Sequence, residues 1–397
     1  MESWRTPMRI AIDYTPAIVQ SAGIGRYTRS LVDALARLES GDEYLLLSAD
    51  APTTTRPFPS ATALRPRVIR LAGRPIGNRR LTMLWHRLRL PLPVEMLTGR
   101  ADVFHGTDFA LPPALGMPRV VTIYDLAFLT HPQYATPSLA RYLAAVVPRS
   151  LHRADAIIAI SETTAADIVA RYGVARDCIT VITPGVDASF APVTDTRALA
   201  TIDARYRLEH PLALAVGTVE PRKRYNHLIA AFAQARQQPG GPRMLAIAGR
   251  RGWLYESAYQ AVEEHRVTDA VRFLDYVPED DLVALYSTAD VLAAPSAYEG
   301  FGIPVIEAMA CGAPVVCSAG GALPEAAGDA ALIVPVDDVA SLVDALVAVT
   351  SRVARQEAMR ARGLARAAEF TWERVARRHL EVYHRMGRNK KHGHDER

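Results

Sequence analysis

Long apolar runs are missing from this chain. None approaches the roughly 18 residues needed to cross a bilayer. The first residues, Met1 to Pro7, are polar and short, and no apolar core of a secretion signal follows them. Cysteine is scarce: Cys178, Cys311 and Cys317 are the only three, which excludes a disulfide framework and fits a reducing compartment. Cys311 and Cys317 have no histidine nearby, so no zinc site is expected. Low-complexity tracts are absent, as is any repeat beyond a paired domain pattern. Neither a recognition-helix pattern nor an aromatic–basic motif for nucleic acid occurs. These absences leave a cytoplasmic globular protein as the expectation.

What is present is ordinary in bulk and uneven in detail. The 397 residues are 49% hydrophobic and 22% charged, enough for two domains with separate cores. The net charge is only +4, but residues 56–100 hold ten arginines and a single acid, Glu95. Leu81, Met83, Leu84, Trp85, Leu88 and Leu90 are interleaved with them. That mixture suits an anionic membrane surface or a phosphate-bearing partner. A solvated basic face is the simpler reading, since several of the arginines fall in Pro-rich loop.

Short apolar strands alternate with helices almost throughout, which predicts parallel sheets covered on both faces. In the first half the strands are predicted at Arg9–Tyr14, Tyr44–Ser48, Val68–Leu71, Val103–Phe104, Val120–Tyr124 and Ala156–Ile160. Helices are predicted at Ile24–Leu38, Leu139–Leu151 and Glu162–Tyr172. In the second half strands are predicted at Leu212–Val216, Met244–Ala248, Val271–Leu274, Val291–Ala294, Pro314–Cys317 and Ala331–Val334, with helices between them. The segment from Pro184 to about Pro211 reads as the connection. The fold class is α/β, with two doubly wound domains at 1–190 and 191–371. An amphipathic helix follows at 372–387, and a polar tail, 388–397, is expected to be disordered.

Chemistry concentrates at Glu299-Gly-Phe-Gly-Ile-Pro-Val-Ile-Glu307, where two carboxylates stand eight positions apart across a helix entry. Pro304 suits the first turn of that helix. The backbone N–H groups of Gly300, Phe301 and Gly302 would lie beside its positive end, a ready anion site. A second group, Gly217-Thr-Val-Glu-Pro-Arg222-Lys223, directly follows a predicted strand. A third, Gly23-Ile-Gly25-Arg26, opens the first helix. There Thr28 replaces the third glycine of a dinucleotide fingerprint, and the loop before Gly23 is too long for one, which weighs against a dehydrogenase.

The Glu299–Glu307 segment resembles the E-x7-E signature of the retaining glycosyltransferases called family 4. Gly217–Lys223 is similar to the G-x-x-x-x-R-K segment of the same family, although Arg224 stands where that family usually has Asn. The resemblance extends from Met8 to about Met386. It implies the GT-B fold: two Rossmann-like domains facing across a cleft, an acceptor-binding N-terminal domain, a nucleotide-sugar-binding C-terminal one, and a final helix crossing back to the first. It implies that Arg222 and Lys223 grip the donor diphosphate, that Glu307 holds the ribose, and that Glu299 contacts the donor sugar. Gly23 and Gly25 would admit the phosphate. Gly217 and Gly249 would lie near the nucleotide, and Val277 would meet the base. His105 and Asp125, each ending a strand, are candidates for contacts to donor or acceptor hydroxyls. Tyr124 stands where the family often has His. Ser161 reads as a helix N-cap in a loop near the cleft.

The resemblance implies transfer of a hexose from a nucleotide diphosphate sugar to an acceptor hydroxyl. No Asp-x-Asp motif occurs, so neither a bridging metal nor another cofactor is expected. Gly23-Ile-Gly-Arg-Tyr27 and Tyr124-Asp-Leu126 look most like the mannosyltransferase branch that builds bacterial surface polysaccharides from GDP-mannose. Its acceptors are often lipid-linked saccharides at the inner membrane face, where the arginine-rich segment would touch the membrane. The alternatives are a UDP-sugar transferase, a phosphorylase or epimerase on a similar frame, and a non-catalytic nucleotide-sugar-binding protein.

Overall fold

The computed structural model describes residues 7–20, 23–54, 56–71, 74–88 and 90–395. They form two compact units. The first contains residues up to Leu129, Pro137–Gly185, and the chain from Trp372 onward; the second contains Thr130–Thr136 and Val186–Thr371. The boundary thus falls at 185/186 rather than 190/191. A seven-residue piece, Thr130–Thr136, leaves the first unit to pack within the second.

The main sheet of the first unit has seven strands: β1 (Arg9–Asp13), β2 (Glu43–Ser48), β3 (Leu64–Val68), β4 (Val103–Gly106), β5 (Arg119–Ile123), β6 (Ala156–Ala159) and β7 (Ile179–Val181). Their order is β3-β2-β1-β4-β5-β6-β7, all parallel. The sheet of the second unit has six: β8 (Leu212–Val216), β9 (Met244–Ala248), β10 (Val271–Asp275), β11 (Val291–Ala294), β12 (Val315–Ser318) and β13 (Ala331–Val334). Their order, β10-β9-β8-β11-β12-β13, is again parallel. Each sheet runs outward from its first strand and then returns to that strand's other side. The reversal falls between β1 and β4 in one sheet and between β8 and β11 in the other. In open α/β sheets, ligands bind at the carboxyl ends of the strands beside such a reversal.

Burial explains the strand signals. Leu212, Ala213, Leu214 and Ala215 are all fully buried, the mark of a strand covered on both faces. Helices Tyr225–Ala235 and Val339–Thr350 cover one side of this sheet, with Leu228, Phe232, Leu346 and Val349 inaccessible to solvent. Each such large side chain is worth roughly 1.5–3 kcal/mol of burial.

Several expectations need correction. The third strand of the sheet is Leu64–Val68, not Val68–Leu71; of the latter, Arg70–Leu71 forms a short separate strand paired antiparallel with Arg74–Pro75. Pro66 had masked Leu64–Val68, but Pro is tolerated on an edge strand, and β3 is the edge. The expected connection holds a helix, Thr196–Tyr206, capped by Asp195, whose side chain accepts from the Arg197 N–H at 2.9 Å. Strand β7 and helix Val353–Ala367 went unread; the latter is mostly polar and buries little beyond Met359, Gly363 and Ala367. The final helix does not stop at Gly387 but runs from Trp372 to Asp395, through the tail expected to be disordered. Lys and Arg are good helix formers and sit favourably near a helix C-terminus.

That helix packs on Ile24–Arg37 inside the first unit. His379, Leu380, Tyr383 and His384 are buried, and His384 Nε2 lies 3.0 Å from the Asp42 carboxylate.

Candidate active site of the second unit

Lys223 and Glu299 stand on either side of the reversal in the second sheet. The loop after β8 carries Gly217 to Lys223, and the loop after β11 carries Ser296 to Glu299. Lys223 Nζ donates to Glu299 Oε1 at 2.7 Å, and Ser296 Oγ donates to the same oxygen at 2.8 Å. Arg222 Nη1 donates to Glu299 Oε2 at 2.5 Å and to the Tyr298 carbonyl at 2.9 Å. Its Nε and Nη2 both donate to Glu220 Oε1, at 3.0 and 2.8 Å. The Ala297 N–H donates to the Arg222 carbonyl at 2.8 Å and ties the two loops together. Two cations and two carboxylates are therefore gathered in one small volume.

Burial alone would raise the Glu299 pKa. The Arg222 guanidinium and Lys223 ammonium, with hydrogen bonds from Lys223 and Ser296, outweigh it and hold the carboxyl at about 2. Glu299 is thus ionised across the whole neutral range.

Glycines shape this cluster. Gly217 has φ +140°, and a Cβ there would stand 2.8 Å from Lys223 Cε and 2.9 Å from its Nζ. The absence of a side chain at 217 is what lets the lysine lie along the loop towards Glu299. A Cβ at Gly249 would run into the Gly217 carbonyl. Gly320 and Gly321, which the sequence gave no reason to select, pack equally closely against the carbonyls of Ser296 and Glu299. The Ala322 N–H donates to the Glu299 carbonyl at 2.9 Å.

The helix after Glu299 is Ile303–Ala310, with Pro304 in its first turn and Gly302 at φ +110° before it. Gly300, Phe301 and Gly302 are buried, and Phe301 meets the Phe370 ring edge to face at 5.4 Å. Glu307 belongs to that helix. It is 3% exposed, and its Oε2 accepts from the Tyr286 hydroxyl at 3.2 Å. Val277 is buried, while its neighbour Tyr276 is exposed, with the Arg250 guanidinium 4.6 Å from its ring centre.

Arg224 occupies a left-handed backbone position, φ +55°, which Asn adopts more readily than Arg. Its guanidinium bonds Asp337 at 2.6 Å and lies over the Tyr134 ring. Tyr134 belongs to the inserted piece Thr130–Thr136, as does His131, whose ring sits 4.9 Å from that of Tyr298. No sequence signal marked that piece as a neighbour of Glu299.

The first unit holds the remaining expected residues, and two of them change role. His105 is fully buried, with Nδ1 2.7 Å from the Tyr383 hydroxyl and Nε2 2.8 Å from Thr122 Oγ1. Burial, and then the neighbouring His379, push its pKa well below the ordinary value. It is a neutral, structural histidine under the final helix rather than a contact for substrate hydroxyls, because its strand position faces the core. Gly25 owes its missing side chain to the carbonyls of Pro16 and Gln20, which a Cβ would strike, so the close approach there is internal. Gly23 is exposed and enters the helix at φ +55°. Asp125 Oδ1 accepts the Ala127 N–H at 2.9 Å and caps the short helix Ala127–Thr130. Tyr124 donates to the Thr107 carbonyl at 2.7 Å. Ser161 caps its helix by accepting the Thr164 N–H at 3.0 Å.

Comparison with known proteins fits this geometry. Residues 203–366 match the model of the glycosyl transferases group 1, and residues 21–190 that of Glycosyltransferase Family 4. The chain is 30% identical over 385 residues to the O-antigen chain mannosyltransferase B of Escherichia coli, covering 95% of this chain and 99% of that one. It is 30% identical over 404 residues to the glycogen synthase of Mycobacterium tuberculosis, covering 95% and 94%. Among solved structures, sucrose-phosphate synthase from Thermosynechococcus elongatus superposes with a TM-score of 0.75 at 23% identity, covering 96% of this chain and 99% of that one. Anabaena HepE in complex with UDP and glucose gives 0.70 at 17% identity, covering 95% and 99%. The chain belongs to the group 1, family 4 glycosyltransferases, and its two parallel-sheet units are the Rossmann-like domains of the GT-B fold.

Proposed function

We propose that this glycosyltransferase moves mannose from GDP-mannose, with retention, to a hydroxyl of a lipid-linked saccharide during synthesis of a surface polysaccharide. The observation that carries the reading is the gathering of Arg222, Lys223 and Glu299 at the strand reversal of the second sheet. The matched length of the E. coli O-antigen mannosyltransferase, and that protein's activity, support the sugar and the pathway class.

In this reading Arg222 and Lys223 meet the charge that grows on the departing diphosphate, with no bridging metal. Cations fixed where charge develops speed departure. Arg can do so bidentately, and Lys as a point charge. Glu299 orients both cations and contacts the donor sugar, with the backbone of Gly300, Phe301 and Gly302 beside it. Glu307 takes the ribose hydroxyls in exchange for Tyr286. The base lies along the Val277 backbone near Tyr276 and Arg250.

The arginine-rich segment serves a membrane surface at the inner face of the cytoplasmic membrane. Met83, Leu88, Leu90, Leu92 and Met96 are exposed along it. Its one acid, Glu95, is half-buried and accepts the N–H groups of Leu115, Gly116 and Met117 at 2.8, 3.2 and 3.1 Å. Among the described residues no helix is long and apolar enough to cross a membrane.

HepE in complex with UDP and glucose favours a second reading, a UDP-sugar donor. Incubating the purified protein with GDP-mannose or UDP-glucose, without acceptor, and quantifying the released nucleotide tests both. Release of GDP is expected. Preferential release of UDP would replace the donor. Absence of both nucleotide release and a nucleotide-dependent rise in melting temperature would overturn the transferase reading.

A further inference from the structure

The piece Thr130–Thr136 touches the rest of the second unit beside both members of the central ion pair. Tyr134 lies under the guanidinium of Arg224, whose Cζ is 5.3 Å from the ring centre, and Arg224 directly follows Lys223. His131 packs its ring 4.9 Å from that of Tyr298, and Tyr298 directly precedes Glu299. The His131 and Tyr134 rings are nearly parallel, with 11° between their planes and 5.8 Å between their centres. Tyr298, His131, Tyr134 and Arg224 therefore form one continuous column. It joins the loop after β11 to the loop after β8, the same two loops that the Lys223–Glu299 ion pair joins.

We propose that Thr130–Thr136 is a strap that fixes the spacing of these two loops, and that His131 and Tyr134 are positioning residues which act through Arg222 and Lys223 on departure of the diphosphate. The proposal rests on the role given above to those two cations and adds the residues that hold them in place.

The local chemistry suits a rigid strap. Pro132 presets the backbone of the turn Pro132–Tyr134, and the Tyr134 N–H donates to the His131 carbonyl at 2.9 Å. His131 Nδ1 lies 2.9 Å from Thr130 Oγ1, which orients the imidazole. Tyr298 is only 5% exposed, so one end of the column is anchored in the interior. At the other end Asp337 holds the Arg224 guanidinium at 2.6 Å. Arginine can stack on an aromatic face while its fork is bonded elsewhere. That double use gives a reason for an arginine at φ +55°, a backbone position that strains it.

The column offers what the ion pair cannot. A diphosphate bound by Arg222 and Lys223 competes with Glu299 for their hydrogen bonds, so the charged link between the loops weakens as the donor arrives. The stacked rings take no part in that competition. They keep the cations where negative charge grows, without rearrangement at the moment of reaction.

Donor-hydrolysis kinetics and amide hydrogen exchange on the full chain test the strap. His131→Ala and Tyr134→Ala should each lower kcat about tenfold, with KM changed by less than about twofold, since small misplacements of catalytic groups fall mainly on turnover. Arg224→Asn, which relieves the backbone strain while removing the guanidinium, should lower kcat by a similar factor and serves if an alanine variant fails to fold. His131→Phe and Tyr134→Phe keep the rings and should stay within about twofold of the wild type. Added to Lys223→Ala, Tyr134→Ala should cost no more than about threefold further, because part of what it positions is gone. Amides of residues 217–225 and 296–302 should exchange at least about tenfold faster in the alanine variants and normally in the phenylalanine variants. Unchanged exchange in the alanine variants, a loss carried by KM alone, a full tenfold loss on top of Lys223→Ala, or equal losses in the phenylalanine variants would each overturn the proposal. Wild-type turnover with unchanged kcat in the folded alanine variants removes the strap and leaves the transferase reading intact. If the wild type turns over neither GDP-mannose nor UDP-glucose while the alanine variants exchange faster, the strap stands and the role of the cations at a diphosphate falls.

Discussion

The ammonium of Lys223 lies 2.7 Å from Glu299 Oε1 and is nearly enclosed, with its side chain 11% exposed. Lys223→Ala should lower turnover on the order of 10²-fold, the usual loss of one donor aimed at developing charge. Donor affinity should fall less, since Arg222 remains. Steady-state kcat and KM for donor hydrolysis separate these effects; equal losses in kcat and in affinity would mean that the lysine binds ground state and transition state alike.

Gly217→Ala should act on the same lysine from outside the charge network. The new methyl would press on Lys223 Cε, and φ +140° strains any residue with a Cβ by about 1–3 kcal/mol. Turnover should drop at least tenfold while the Glu299 side chain is untouched. Normal kinetics with a lowered melting temperature would show that the lysine can move aside freely.

The pH dependence of stability follows from Glu299. Its pKa is lowered in the fold, from 4.5 to about 2, so its contribution is fully present above 4.5 and is lost as pH falls towards 2. Chemical denaturation at pH 7, 4.5 and 3 should show the wild type losing stability faster than Glu299→Gln, which has no proton to take up at that site. Parallel slopes would mean that the carboxylate is equally well stabilised in the unfolded chain.

Glu307→Ala should remove any nucleotide-dependent melting shift. The geometry adds a second effect: the mutation deletes an acceptor of the buried Tyr286 hydroxyl, so stability without nucleotide should also fall, by about 1 kcal/mol. Tyr286→Phe separates the two, because it should lower the melt slightly and keep the nucleotide shift. Loss of the shift in Tyr286→Phe would count against a ribose role for Glu307.

Much of this was legible in the sequence because the informative residues are those with the fewest alternatives. Apolar strands such as Leu212–Val216 and Met244–Ala248 read directly, since a parallel strand buried on both faces has no polar positions to blur it. Arg222, Lys223 and Glu299 were legible as a set because the two segments that carry them follow apolar strands and resemble the family's two motifs. The strand containing Pro66 was hidden by a residue whose cost vanishes only at a sheet edge, which depends on strand order. His105 was a candidate only as a histidine ending a strand, a place where histidine is more often structural; its burial depends on a helix 278 residues later, at Tyr383.

The assignment of Thr130–Thr136 to the second unit has a practical consequence. The chain passes between units at four places, 129/130, 136/137, 185/186 and 371/372. No single cut yields two self-sufficient fragments: truncation after Gly185 would strand Tyr134 without Arg224 and deprive Ile24–Arg37 of the helix that shields it. Splitting this enzyme for separate expression would call for a grafted loop and a rejoined terminus.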